Sequence, residues 1–74
     1  MEKKFIGITN ATKIGKIGII KVDDPTDTVT YCFILDNEIT EPATANLRYS
    51  KIREDFYFIA NGFRWFFSEF IWAL

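Results

Sequence analysis

The feature that most constrains this chain is an Asn61-Gly62 pair lying between two runs rich in aromatic residues. A two-residue type I′ turn requires positive φ at both central positions, and Asn-Gly adopts that conformation at low cost. The pair therefore predicts a β-hairpin over residues 55–70, with Ala60 facing Phe63 next to the turn. The further pairs that follow from this register are Phe58 with Trp65, Phe56 with Phe67, Ile59 with Arg64, Tyr57 with Phe66 and Asp55 with Ser68.

One face of this hairpin is almost wholly apolar and the other is mixed, as expected of an antiparallel pair that covers a core on one side. Nine of the thirteen aromatic residues fall in the last nineteen positions. A chain of 74 residues buries only roughly 60% of the surface that its unfolded state exposes, so its core must be dense. We therefore expect a single domain over residues 1–74 in which the hairpin supplies most of the core.

The rest of the chain reads as short strands joined by tight turns. The strands that hydrophobic alternation predicts lie at residues 4–9, 16–22, 28–35 and 38–40. An Asp- and Pro-rich turn separates the second from the third. Gly18, inside the second strand, indicates a bend, a bulge or a close approach by another part of the chain. Residues 43–46 are small and predict a connector.

For two segments the sequence does not decide between a helical turn and an extended strand. Residues 47–54 fit either a short helical turn capped by Ser50, with Ile52 pointing inward, or an extended approach to the hairpin. Residues 69–74 fit either a helical turn capped by Ser68 or a continuing strand. The predicted fold is therefore all-β: a small SH3-like, strongly bent antiparallel barrel of about five strands, with short helical turns near residues 50–54 and 69–74.

Charge is unevenly distributed along the chain, although the formal net charge is only −1. Residues 1–21 carry five lysines and one glutamate, a balance of +4. Residues 22–47 carry six carboxylates and no basic residue, a balance of −6, and residues 48–74 carry four cations and three carboxylates. This layout fits oppositely charged strands that pair on a solvated face, or a surface with two charged halves that steers a partner.

The residue types needed for most catalysis are missing. The chain has no histidine, which removes the commonest general base and the commonest zinc ligand. Its one cysteine, Cys32, lies mid-strand, where a small buried hydrophobe is the usual role. Asp23, Asp24 and Asp27 lack the spacing of a calcium loop and fit a solvated turn. We expect no enzyme activity, no cofactor and no bound metal.

The expected location is the cytoplasm. The first eight residues lack the long apolar region of a signal peptide. No apolar run approaches the roughly 20 residues of a membrane-spanning helix. A lone cysteine fits a reducing compartment. The frequent use of Ile, Lys, Phe and Asn is typical of an AT-rich genome and indicates a bacterial or phage origin.

Residues 5–33 also resemble a known family pattern. They contain a strand, a basic Gly-containing loop, a second strand with the G-x-h-x-x-h spacing, an acidic turn and a V-x-V-x-F-like strand. The matching positions are Gly15, Lys16, Gly18, Ile20, Asp23, Val29, Tyr31 and Phe33. This run resembles the KOW motif of SH3-like barrels. The resemblance implies a barrel that binds RNA, DNA or other proteins without a catalytic centre, and the aromatic hairpin has no counterpart in it.

The number of aromatic residues motivates the first functional hypothesis, a non-enzymatic protein-binding module. If the apolar face of the hairpin fills the core, the aromatic side chains of the other face and of the C-terminus need another cover. A C-terminal helical turn that folds back would supply it; otherwise these residues form a patch for a protein partner or for a second copy. The predicted protein-binding residues are Tyr57, Arg64, Phe66, Phe70 and Trp72.

The specific role within this hypothesis, and one alternative to it, stay open at this point. Within the first hypothesis, the protein would act as an accessory protein, as an inhibitor of a larger host enzyme or as a homodimer. The alternative is a KOW-like nucleic-acid-binding module that uses Lys13, Lys16 and Lys21, with exposed aromatic rings stacking on bases. The acidic central segment and a pI of about 5.2 weigh against that alternative, because such binders are usually basic.

Overall fold

A computed structural model describes residues 5–9, 15–36 and 38–73, and they form short antiparallel strands. In chain order the strands are β1 (Gly7–Thr9), β2 (Lys16–Asp23), β3 (Thr28–Leu35), β4 (Glu38–Ile39), β5 (Ala43–Asn46), β6 (Arg48–Ser50), β7 (Asp55–Ala60), β8 (Phe63–Phe66) and β9 (Phe70–Trp72). One turn of 3-10 helix, Phe67–Glu69, separates the last two strands. The predicted all-β, antiparallel class is confirmed, and the strands of the described residues are more numerous than the five expected.

The strands form two sheets around one core. The larger sheet has the order β4-β3-β2-β1-β9, with β5 also paired to β3, and the smaller sheet has the order β6-β7-β8. Two bent segments join them: β5 continues into β6 through Leu47, and β8 continues into β9 through the 3-10 helix. Neighbouring strands therefore follow one another around the core, and the last strand returns to pair with the first, as in a small barrel.

The β7–β8 hairpin has the predicted register. Ala60 pairs with Phe63, and the pairing ends at Tyr57 and Phe66. The two pairs predicted beyond this point, Phe56 with Phe67 and Asp55 with Ser68, do not form, because the chain turns into 3-10 helix at Phe67. Asn61 and Gly62 have φ values of 53° and 78°, as a type I′ turn requires. The predicted inward face is buried only at its centre, because Phe56 and Phe63 lie at opposite ends of the sheet, where less of the chain covers them.

The core combines aliphatic side chains of β2 and β3 with aromatic rings of the hairpin. Its buried members are Ile17, Ile19, Val29, Tyr31, Phe58, Ala60, Trp65 and Phe70. The β2–β3 register shifts between Ile19 and Lys21, so the predicted irregularity in β2 is present, two residues beyond Gly18. Gly18 itself lies under the ring of Phe5, where an added Cβ would come within 2.4 Å of the Phe5 Cδ1 atom.

The indole N–H of each tryptophan donates a hydrogen bond to a backbone carbonyl that is near it in the sequence. The Nε1 atom of Trp65 donates to the carbonyl of Ala60 at 2.9 Å, and that of Trp72 donates to the carbonyl of Phe67, also at 2.9 Å. A buried indole N–H without an acceptor would be costly. These two bonds allow the rings to pack inward while they brace the hairpin turn and the 3-10 helix.

The structure corrects one local prediction and decides two that were open. The expected connector at residues 43–46 is a strand, because its small residues fit against β3, with Ala45 opposite the buried Val29. Residues 51–54 form a hydrogen-bonded turn without a helix, and Ile52 points into solvent, not inward as in the helical alternative. At the C-terminus a turn of 3-10 helix begins at Phe67, and the strand alternative holds for residues 70–72, which pair with β1.

Asp55 joins the hairpin to the 3-10 helix. Its Oδ2 atom accepts the backbone N–H of Ser68 at 3.0 Å. Burial alone would raise the pKa of Asp55, but hydrogen bonds from Ser68 and from the Phe56 N–H, with the charge of Arg53, outweigh it and lower the pKa below its ordinary value. The ionised carboxylate therefore stabilises the folded state.

We expect Asp55→Ala to lower the free energy of unfolding by about 1 kcal/mol at neutral pH. A group whose pKa is lower in the folded state stabilises fully above its unfolded pKa, and the contribution disappears as the pH falls through the folded pKa. Urea denaturation should therefore show the gap between wild type and variant shrinking below roughly pH 4. Asp55→Asn keeps an acceptor oxygen without titrating and serves as the control; an unchanged gap at acidic pH contradicts the prediction.

Candidate interaction surface

The outer face of the smaller sheet carries all three arginines of the chain. Arg48 on β6 lies opposite Tyr57 on β7, which in turn lies opposite Phe66 on β8. Arg64 lies one row further along, opposite Ile59. Arg53 reaches the same face from the turn that follows β6. We call this surface the arginine face and define it by Arg48, Arg53, Tyr57, Ile59 and Arg64.

Aromatic rings hold two of the guanidinium groups in place. The Cζ atom of Arg53 lies 3.8 Å from the centroid of the Phe66 ring, and that of Arg64 lies 5.8 Å from the centroid of Tyr57. The two rings are neighbours, with centroids 5.0 Å apart. A cation–π contact at an exposed site contributes about 0.5–1 kcal/mol. The arginines are thus partly ordered before any partner binds, which lowers the entropy lost on binding.

The charges of this face are directed to solvent. Arg48, Arg53 and Arg64 are all exposed, and among residues 5–9, 15–36 and 38–73 no ion pair engages their guanidinium groups. The nearest electrostatic influence is that of Arg53 on Asp55, whose pKa it helps to lower. An anionic partner would therefore meet cations that have no competing carboxylate bound to them.

Ile52 projects from the turn at one end of the arginine face and is 97% exposed. Its turn is ordered, because the Arg53 N–H donates to the Ser50 Oγ atom at 3.2 Å and the Arg53 guanidinium stacks on Phe66. Glu54 closes the turn with a positive φ of 53°. An isoleucine in this position contributes nothing to the core, and it lies between the cations Lys51 and Arg53.

The structure brings together three of the five predicted protein-binding residues. Tyr57 and Arg64 lie on the arginine face, with Phe66 beneath Arg53. Phe66 and Phe70 do not form an exposed patch, since they are only 6% and 5% exposed. Arg53 covers Phe66, and the 3-10 helix turns Phe70 toward the core. Trp72 is half-buried, with its ring against Gly7, where an added Cβ would meet the Trp72 Cε3 atom at 2.9 Å.

Sequence reasoning missed Arg48, Arg53 and Ile52 as parts of one surface. The sequence of the segment that contains them fits a helical turn and an extended chain equally well. Once β6 is known to be a strand, the period of two places Arg48 and Ser50 on the outer side. The signal available in the sequence was the confinement of all three arginines to residues 48–64.

The lysines of the alternative hypothesis are dispersed. Lys16 begins β2 and borders a shallow groove whose other lining residues include Phe5, Ile71 and Trp72. Lys21 lies beyond the bulge, opposite Thr30, about 16 Å further along the strand at 3.3 Å per residue. Lys13 lies outside the described residues. The two described lysines belong to β2 and are separate from the arginine face.

The described part of the chain has no candidate metal cluster and no candidate membrane-spanning helix. No group of three or more His, Cys, Asp or Glu residues in it could hold a metal ion. None of its helices is long and apolar enough to cross a membrane. Cys32 is completely buried.

Comparison of the chain with protein-family models, with curated proteins and with solved structures gave no match. The resemblance of residues 5–33 to the KOW motif therefore stays a prediction. The chemistry of the exposed surface, above all that of the arginine face with Ile52, is therefore the guide to function.

Proposed function

We propose that this protein is a non-enzymatic module that binds a protein partner through the arginine face. The observation that carries the proposal is Ile52, a fully solvated apolar side chain that an ordered turn holds between Lys51 and Arg53. Burying such a side chain in a partner contributes about 1.5–3 kcal/mol. The matching surface is an apolar hollow rimmed with carboxylates, which would receive Ile52 while pairing with the surrounding cations.

The same surface favours a protein over a nucleic acid as the partner. Bases stack on open aromatic rings, whereas the Phe66 ring is already covered by Arg53. Arg and Tyr are the residue types enriched where proteins contact each other. Nucleic-acid binding through Lys13, Lys16 and Lys21 is kept as the competing outcome of the experiment below.

The test uses fluorescence anisotropy with two labelled probes at low ionic strength: a peptide of alternating Glu and Leu, and a single-stranded oligo(dT). We expect the peptide to bind, with affinity that falls as salt is added. Ile52→Ser should weaken binding about tenfold, the equivalent of roughly 1.4 kcal/mol. The double variant Arg48→Glu/Arg64→Glu should weaken it more, because it replaces two attractions with two repulsions.

The matched control is Lys16→Glu/Lys21→Glu, which changes the charge of the protein by the same amount on β2. We expect it to bind the peptide as wild type does. A peptide containing Gln in place of Glu separates the apolar from the charged contribution. If oligo(dT) binds more tightly than the peptide and only the lysine variant loses it, the KOW-like alternative is correct and the proposal fails. Peptide affinity that is indifferent to Ile52 and to the arginines also overturns the proposal.

A further inference from the structure

The arginine face adjoins an acidic region at the edge of the larger sheet. Because β5 bends into β6 at Leu47, Asn46 and Arg48 are only two residues apart, and both are exposed. Asn46 lies opposite Thr28 on β3, and Thr28 lies opposite Asp23 on β2. The turn after Asp23 is therefore next to the start of β6, and the Leu47 N–H fixes it there by donating to the carbonyl of Asp27 at 2.8 Å.

We call this region the acidic turn and define it by Asp23, Asp24 and Asp27. Asp24 and Asp27 are exposed and Asp23 is half-buried. The turn is ordered, because the Thr26 hydroxyl donates to the Asp23 Oδ2 atom at 2.8 Å. Three carboxylates thus border a face that carries three guanidinium groups. The acidic turn and the arginine face thus carry equal numbers of these charged groups, of opposite sign.

We propose that the partner of the arginine face is a second copy of this chain, in a two-fold symmetric dimer. The inference rests on the proposed function and names the partner of that same site. A two-fold axis passing between the halves, near Asn46 and Arg48, places the arginine face of each copy against the acidic turn of the other. Such an interface uses the same surface patch twice, so every complementary contact forms in duplicate and the assembly closes at two copies.

The surroundings of the acidic turn suit the apolar part of the arginine face. Thr28 and Thr44 occupy the outer side of β3 and β5 beside the turn, and their methyl groups form an uncharged strip, with Lys21, opposite Thr30, beyond its edge. Ile52 and Ile59 of the facing copy can pack on such a surface while the arginines reach the carboxylates at its edge. Charge complementarity would then set the alignment of the two copies, and apolar contact would add to their affinity.

The experiment reverses the charge of the arginine face in one variant and the charge of the acidic turn in another, and then mixes the two variants. One variant carries Arg48→Glu and Arg64→Glu, and the other carries Asp23→Lys and Asp24→Lys; circular dichroism first checks that both keep the β fold. Sedimentation at low ionic strength should show wild-type dimers that dissociate as salt is added. Each variant alone should be monomeric, because both of its halves then carry the same sign, with self-affinity reduced at least tenfold.

An equimolar mixture of the two variants should restore the dimer. The reversed face of the first then meets the reversed turn of the second, and the native halves meet each other. Lys16→Glu, at the end of β2 far from the acidic turn, should leave the wild-type dimer intact. A wild type that stays monomeric at low ionic strength, or a mixture that stays monomeric while wild type dimerises, overturns this inference. If that monomer still binds the Glu-Leu peptide through Ile52, the proposed function stands with a different partner.

Discussion

Phe58→Ala should lower the free energy of unfolding by about 3–5 kcal/mol, a large fraction of the total for a domain of this size. Phe58 is the largest completely buried side chain, at 0% exposure. Its ring contacts Tyr31 of the larger sheet, with centroids 5.3 Å apart, and Phe70 of the last strand at 5.9 Å. Removing it would leave a cavity where the two sheets meet, and a small core has little else with which to fill it.

Phe56→Ala is the matched control for this prediction. Phe56 is the same residue type on the same strand and the same face, two positions earlier, but it is 44% exposed. Its ring packs near the edge of the sheet, where it contacts Tyr49 and Phe67. We expect a cost of about 1–2 kcal/mol, scaled by the smaller area that it buries. Urea denaturation of both variants measures the difference, and equal costs would show that the core is not centred on Phe58.

The hairpin could be read from the sequence because its determinants are local. Asn61-Gly62 fixes the turn, the turn fixes the register, and the register fixes which side chains share a face. The register holds from Ala60 and Phe63 to Tyr57 and Phe66. Two long strands, β2 and β3, were equally legible, since their alternation and the intervening Asp-Pro turn agree.

The segment between β4 and β7 could not be read in the same way. Residues 43–46 have weak strand propensity, and they are a strand because β3 offers a paired edge and the space that alanines fit. The 3-10 helix was likewise hidden, because it depends on contacts from outside the segment, such as the Asp55 carboxylate. Because the helix changes which side chains point inward after residue 69, Phe70 packs in the core.

The candidate site divides along the same line. Tyr57 and Arg64 were identified because both lie within the hairpin, whose faces follow from local rules. Arg48 and Arg53 join them only when β6 pairs with β7, a contact that the sequence pattern did not specify. The adjacent acidic turn likewise depends on long-range pairing, through β3 and β5. The charge layout along the chain was visible, but its arrangement on one surface was not.

Gly15→Ala should cost about 3–4 kcal/mol, because it combines two penalties that are each about 1–3 kcal/mol. Gly15 has a φ of 105°, a conformation that residues with a Cβ rarely adopt. An added Cβ would also lie 2.7 Å from the carbonyl oxygen of Ile34 and 2.8 Å from the Leu35 Cδ2 atom. The oxygen belongs to the backbone of β3, which cannot move aside without disturbing its pairing with β2.

Gly62→Ala separates the two penalties. Gly62 also has a positive φ, 78°, but no atom lies within 4 Å of the place its Cβ would occupy. Its cost should therefore be the conformational one alone, about 1–2 kcal/mol. Thermal and urea denaturation of the two variants compare them directly. If Gly15→Ala costs no more than Gly62→Ala, the close approach of the Ile34 carbonyl does not constrain the start of β2. A clear excess at Gly15 would instead show that the start of β2 is held by backbone packing against β3.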